Sequence, residues 1–221
     1  MLFRSFPSWV RAMAAALVAV QVVLTLCYWG YASGLPGFRQ FNMDGENNVP
    51  TWWSSLILIA TAALCLGLWQ TSKRIGRPHI PWLVIAIGFL GLSAEEVASI
   101  HEDVGSSVGG GADEVSIWPL LYSPILFAGV WMMVRALRDL PRPIAVTALA
   151  GLVAYVGVLG IEVASLLAES SLTIAVEENL EMLGTGLMFC ALAAEVTMRF
   201  IAAFPEPSLP LERADLVDAR R

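Results

Sequence analysis

Charge is scarce in this chain: 14% of its 221 residues are Asp, Glu, Lys or Arg, while 57% are hydrophobic. An average soluble domain carries about 25% charged residues, and a mean hydropathy of +0.69 excludes that class. Cysteine is also sparse. The three present, Cys27, Cys65 and Cys190, sit in apolar runs without CxxC spacing, so they read as small packing residues rather than disulfides or ligands. No Walker A loop, dinucleotide fingerprint, HExxH motif or Ser-His-Asp pattern occurs. No basic, aromatic-rich groove suggests nucleic acid as a partner. Strand-like alternation with aromatic girdles is missing as well, which argues against a β-barrel.

What the chain does contain is long apolar runs. An α-helix needs about 20 residues to cross roughly 30 Å of hydrocarbon, and a lipid-exposed backbone must satisfy its own hydrogen bonds. The sequence therefore predicts an all-α, polytopic transmembrane bundle of about six spans, near 9–32, 51–71, 80–102, 117–136, 144–168 and 173–203. Arg4 and Arg11 precede the first run, which is too long for a signal-peptide core and lacks a clean cleavage site, so it reads as an uncleaved span. Residues 1–203 are expected to form the membrane domain, and 204–221 a flexible cytoplasmic tail.

Loop charges orient these spans. Lys73, Arg74 and Arg77 follow the second, Arg135, Arg138 and Arg142 surround the fourth-to-fifth connection, and Arg199, Arg213, Arg220 and Arg221 belong to the end of the chain. The opposite loops hold Arg39 alone. By the positive-inside rule, both termini are expected in the cytoplasm of a bacterial-type inner membrane. Trp52, Trp53, Trp82 and Trp118 fall near span ends, as interface anchors do.

Acids placed within apolar helices are the sharpest signal. Each costs roughly 2.5–3.5 kcal/mol at a helix centre, and persists there only facing protein, water, a partner or an ion. Glu95, Glu96, His101 and Glu102 end the third span, Glu162 lies in the fifth, and Glu177, Glu178 and Glu181 begin the sixth. Asp44 and Glu46 precede the second span on the same side. Within the third span, Glu95 and Glu102 are seven apart and share a face, whereas Glu96 points away from His101. In the sixth, Glu177 and Glu178 both pair with Glu181 at helical spacing. A metal set of Glu95, His101, Glu102, Glu177 and Glu181 is therefore expected, with Glu96 and Glu178 as catalytic acid–base groups. Its donors suit Fe, Mn or Zn, and carboxylates with Asn42 and Asn47 would suit Ca. The Glu-x-x-His repeat of soluble di-iron bundles is absent.

Three functional classes fit these residues. The first is a metal-dependent membrane enzyme, a hydrolase or oxidoreductase acting on a lipid-like or periplasmic small-molecule substrate. The second is a divalent-cation or proton transporter. The third is a structural or ion- or pH-sensing subunit. Polarity confined to the outer half ranks the enzyme first, because a conduit needs polar groups on both sides of the midplane. Membrane lipid is the one partner implied, and nothing in the sequence fixes an oligomer. Glu195 and Arg199 are i,i+4 near the inner face and predict a local ion pair.

Overall fold

The computed structural model describes residues 6–45, 47–98, 118–165 and 170–203. They form helices α1 (Ser8–Ala32), α2 (Val49–Arg74), α3 (Ile80–Ala98), α4 (Trp118–Leu137), α5 (Arg142–Ser165) and α6 (Ser171–Ala203), with a short 3-10 turn at Arg39–Phe41. No strand occurs among the described residues. Four helices, α1, α2, α3 and α6, are long and apolar enough to cross a membrane. The apolar described stretches Phe127–Leu137 of α4 and Arg142–Val158 of α5 are shorter. The described residues are thus all-helical, with four candidate spans that suggest an integral membrane protein, where the sequence led us to expect about six.

Local chemistry explains the helix ends. Asn48 caps α2: its Oδ1 accepts the Thr51 N–H at 3.0 Å, and Pro50 follows in the first turn, where a missing N–H costs nothing. The same side chain donates to the carbonyls of Asn42 and Gly45, so the cap also ties down the preceding loop. At the other end of α2, Gly76 takes φ +67°, and Arg77 N–H returns to the Ser72 carbonyl at 2.9 Å. This is the left-handed stop that glycine allows. At the start of α6, Ser170 and Thr173 bond reciprocally, each backbone N–H to the other's hydroxyl, at 2.9 and 3.2 Å.

Helix α6 is the hub and packs on α1, α2 and α5, while α3 packs on α2 and α4. Ser55 of α2 meets Ser93 of α3 at 2.8 Å, which makes that pair antiparallel. Gln21 and then Tyr28 of α1 meet Asn179 and then Ser171 of α6, and Gly151 and then Gly157 of α5 adjoin Met188 and then Leu180, so α1 and α5 both run against α6. A Cβ on Gly151 would lie 2.6 Å from the Gly184 carbonyl oxygen, so the two glycines allow backbone-to-backbone approach. The largest buried cluster includes Leu58, Cys65, Leu68, Trp82, Ile85, Phe89, Met188 and Leu192. Val18, Val22, Val23 and Leu26 of α1 remain exposed, as a lipid-facing surface requires.

Candidate functional site

One end of the bundle gathers the C-termini of α1 and α3 and the N-termini of α2 and α6. There Glu178, near the start of α6, interacts electrostatically with Glu181, Glu96, Glu177 and Asp44. Tyr155 of α5 is in electrostatic reach of Glu181, Glu96 and Glu178. Side chains from α3 and α6 therefore approach one another here, with α5 and the α1–α2 loop alongside. Glu95, Glu96, Glu177, Glu178 and Glu181 are all half-buried, and Asp44 is exposed.

Neutral polar groups fix the geometry of this end. The single Thr185 hydroxyl proton goes to the Glu181 carbonyl at 3.0 Å. The 2.7 Å contact between Tyr155 Oη and Thr185 Oγ1 must then have the tyrosine as donor. Gly184 makes that approach sterically feasible, because a Cβ there would sit 2.8 Å from the Tyr155 ring. The neighbouring residue of Glu178 is equally tied. Asn179 Oδ1 accepts from Gln21 Nε2 at 2.9 Å, its Nδ2 donates to the Ala175 carbonyl at 2.7 Å, and the single Thr25 hydroxyl proton is shared between Asn179 Oδ1 at 2.9 Å and the Gln21 carbonyl at 2.8 Å. Gln21 also donates to the Asn179 carbonyl at 2.7 Å. Tyr28 Oη donates to the Ser171 carbonyl at 3.2 Å. These bonds clamp α1 onto the acidic turns of α6.

Of the two adjacent acids on α3, Glu96 is among the leading electrostatic neighbours of both Glu178 and Tyr155. The sequence expectation paired Glu95 with Glu102 on one face and turned Glu96 away from His101; both partners of those relations lie outside the described residues. Ser93 is buried against α2; Glu96, three residues further on, lies about 60° from it round the helix, and half-buried Glu95 lies about 100° from Glu96. His101, Glu102 and Glu46 lie outside the described residues, and so does the side chain of Glu162. Among the described residues, no group of three or more His, Cys, Asp or Glu side chains is arranged to hold a metal ion. Glu95, Glu177 and Glu181 alone therefore do not make the expected ligand set. The pair expected at the opposite end is present: Arg199 Nε donates to Glu195 Oε1 at 2.6 Å, and Arg199 Nη1 donates to Ser72 Oγ at 2.7 Å.

Tyr155, Gln21, Thr25 and Asn179 were not singled out from sequence, where acids drew the attention. Gln21 and Thr25 did carry a usable signal, since they are polar, four residues apart, and embedded in an otherwise apolar run.

Compared with known proteins, residues 10–196 match a family model described as "Domain of unknown function (DUF8692)". No curated protein and no solved structure matches the chain.

Proposed function

The chain belongs to the DUF8692 family, and from its geometry we propose that it is a membrane enzyme that binds a divalent cation at its acidic end and acts on a lipid-like or exoplasmic small molecule. In this proposal Glu96 and Glu178 exchange protons with substrate or water. Glu95, Glu177 and Glu181 hold the ion together with His101 and Glu102, which follow Ala98 in sequence by three and four residues. The metal is Fe, Mn or Zn by donor type, with Ca as the hard-cation alternative. The acidic end faces the exoplasmic side, because Lys73, Arg74, Arg77, Arg138 and Arg142 lie at the helix ends opposite to it.

The observation that carries this reading is the apolar seal behind the acids. Leu58, Ala62, Cys65, Leu68, Phe89, Leu192 and their neighbours form one buried cluster between the acidic end and the Glu195–Arg199 pair. Thr61 is buried there, but its hydroxyl is bonded to its own helix at Ile57. A site open on one side suits catalysis better than passage.

Elemental analysis of protein purified without chelator tests the proposal. Near-stoichiometric transition metal is expected, and Glu96→Gln or Glu178→Gln should retain the ion while altering turnover. Folded, metal-free protein that takes up no Fe, Mn, Zn or Ca would reject it.

One observation favours a transporter as the second reading. Glu195 and Arg199, the latter bonded to Ser72 of α2, lie on the same helix as Glu178, so α6 carries polar groups towards both of its ends. Cation or proton flux in reconstituted vesicles, altered by Glu178→Gln, would select it over the enzyme.

A further inference from the structure

The loop between α1 and α2 borders an open cavity of about 560 Å³ lined by Tyr31, Arg39, Gln40, Asn42, Gly45, Asn47 and Asn48, of which Arg39, Gln40 and Asn47 are exposed. This composition differs from that of the rest of the chain. Apart from Tyr31 and Gly45, every lining residue carries an amide or a guanidinium side chain. Arg39 is the sole Lys or Arg between Arg11 and Lys73, so this is where a long apolar stretch of sequence places its one positive charge. Asp44, the described acid of the loop, is not part of the wall. It lies instead in electrostatic reach of Tyr28 and Glu178, on the side of the acidic end.

The wall is also held in place. Asn48 is buried and bonded to the loop carbonyls of Asn42 and Gly45 while it caps α2. Asn42 Oδ1 accepts the Asp44 N–H at 3.2 Å, which leaves its carboxamide nitrogen as a donor. Asn47 adopts φ +56°, a conformation asparagine tolerates better than most residues. Exposed Trp29 and Tyr31 at the end of α1, and Trp52 at the start of α2, stand at the same level. Such rings mark the headgroup layer of a membrane.

We propose that this cavity is a binding site for a phosphate group, recognised by the Arg39 guanidinium fork with amide N–H donors from Gln40, Asn42 and Asn47. The guanidinium matches two oxygens of a phosphate at once, and the amides supply donors to the remaining oxygens. At headgroup level the phosphate has two sources: the headgroup of a phospholipid, or a soluble phosphate or phosphate ester from the aqueous side. The site is distinct from the acidic end and does not rest on the enzyme reading.

The test uses the full chain, purified in a maltoside detergent and phosphate-free buffer. Its thermal midpoint is followed on addition of inorganic phosphate, of phosphatidylglycerol in mixed micelles, or of diacylglycerol as the phosphate-free lipid control. A rise with phosphate supports the site and a soluble source. A rise with phosphatidylglycerol alone supports the site and a lipid source. In either case Arg39→Gln should weaken the half-saturating concentration about tenfold or more, because a charge-assisted bond is lost, and Arg39→Lys should recover part of it. Asn47→Gly removes one donor while keeping the backbone conformation accessible, and Gln40→Ala removes another from an exposed position. These two variants decide the matter if Arg39→Gln does not fold. No rise with either phosphate probe, a rise equal to that with diacylglycerol, or a response unchanged in all the variants would overturn the assignment.

Discussion

Replacing Arg199 by leucine should be the most damaging single change at the basic end of the bundle. Glu195 is 4% exposed, and its carboxylate takes the Arg199 Nε–H at 2.6 Å. The same guanidinium spans to α2 through Ser72 Oγ at 2.7 Å. Both side chains are nearly closed to solvent, at 12% and 6% exposure, so screening does not weaken the pair as it would at a surface. Arg199→Leu leaves the carboxylate among Ala191, Leu192 and Ala194 without its cation, and such a broken pair costs about 3–5 kcal/mol. The double variant Glu195→Leu with Arg199→Leu removes the stranded charge. It should fall between roughly neutral and about 4 kcal/mol more stable than the parent, less whatever Ser72 loses.

The assay is reversible unfolding in mixed micelles with increasing dodecyl sulfate, followed by helical circular dichroism. Four proteins complete the cycle: the parent, each single variant and the double. The reasoning fails if Arg199→Leu costs less than about 1 kcal/mol, the range of an exposed pair. It fails equally if the double variant loses the sum of the two singles, since that would mean the two residues act independently.

Two further outcomes follow from the contacts of α6. Gly151→Ala should destabilise by about 1–3 kcal/mol in the same titration, because its Cβ would meet the Gly184 carbonyl oxygen at 2.6 Å, whereas Gly186→Ala, whose nearest neighbour is Leu17 Cδ1 at 3.7 Å, should be tolerated. Asn179→Ala removes the acceptor shared by Gln21 and Thr25 and should cost roughly 0.6–1.7 kcal/mol for each bond lost, read as earlier proteolysis within α1; unchanged cleavage would show that the clamp does not hold that helix.

Helix positions were largely legible in the sequence, because the length of an apolar run is a direct consequence of bilayer thickness. The expected span at 9–32 corresponds to α1 at Ser8–Ala32, and 173–203 corresponds to α6 at Ser171–Ala203. Differences arise where capping extends a helix beyond its apolar stretch. Helix α2 runs Val49–Arg74 instead of 51–71, since Asn48 starts it and Gly76 stops it. Hydropathy does not weigh either residue. The clamp between α1 and α6 was not legible either. Its members are neutral, and their value depends on which helix lies opposite, which no single run of sequence specifies.

The assignment of faces on α3 was legible in principle, through packing rather than charge. Trp82, Ala86, Phe89 and Ser93 are all buried, and their spacings of four, three and four trace one stripe along the helix. The next member of that stripe is Glu96. Comparing Glu95 with Glu102 and His101 gave relative angles within one helix, but no reference to the interior. The buried stripe supplies the reference, and it places Glu96 on the interior side of the helix. A carboxylate that continues a line of core positions would leave an apolar helix better packed if replaced by leucine. Its presence there has a physical rationale only if something polar is brought to it, and Tyr155, Glu178 and Glu181 are what the fold brings within its electrostatic reach.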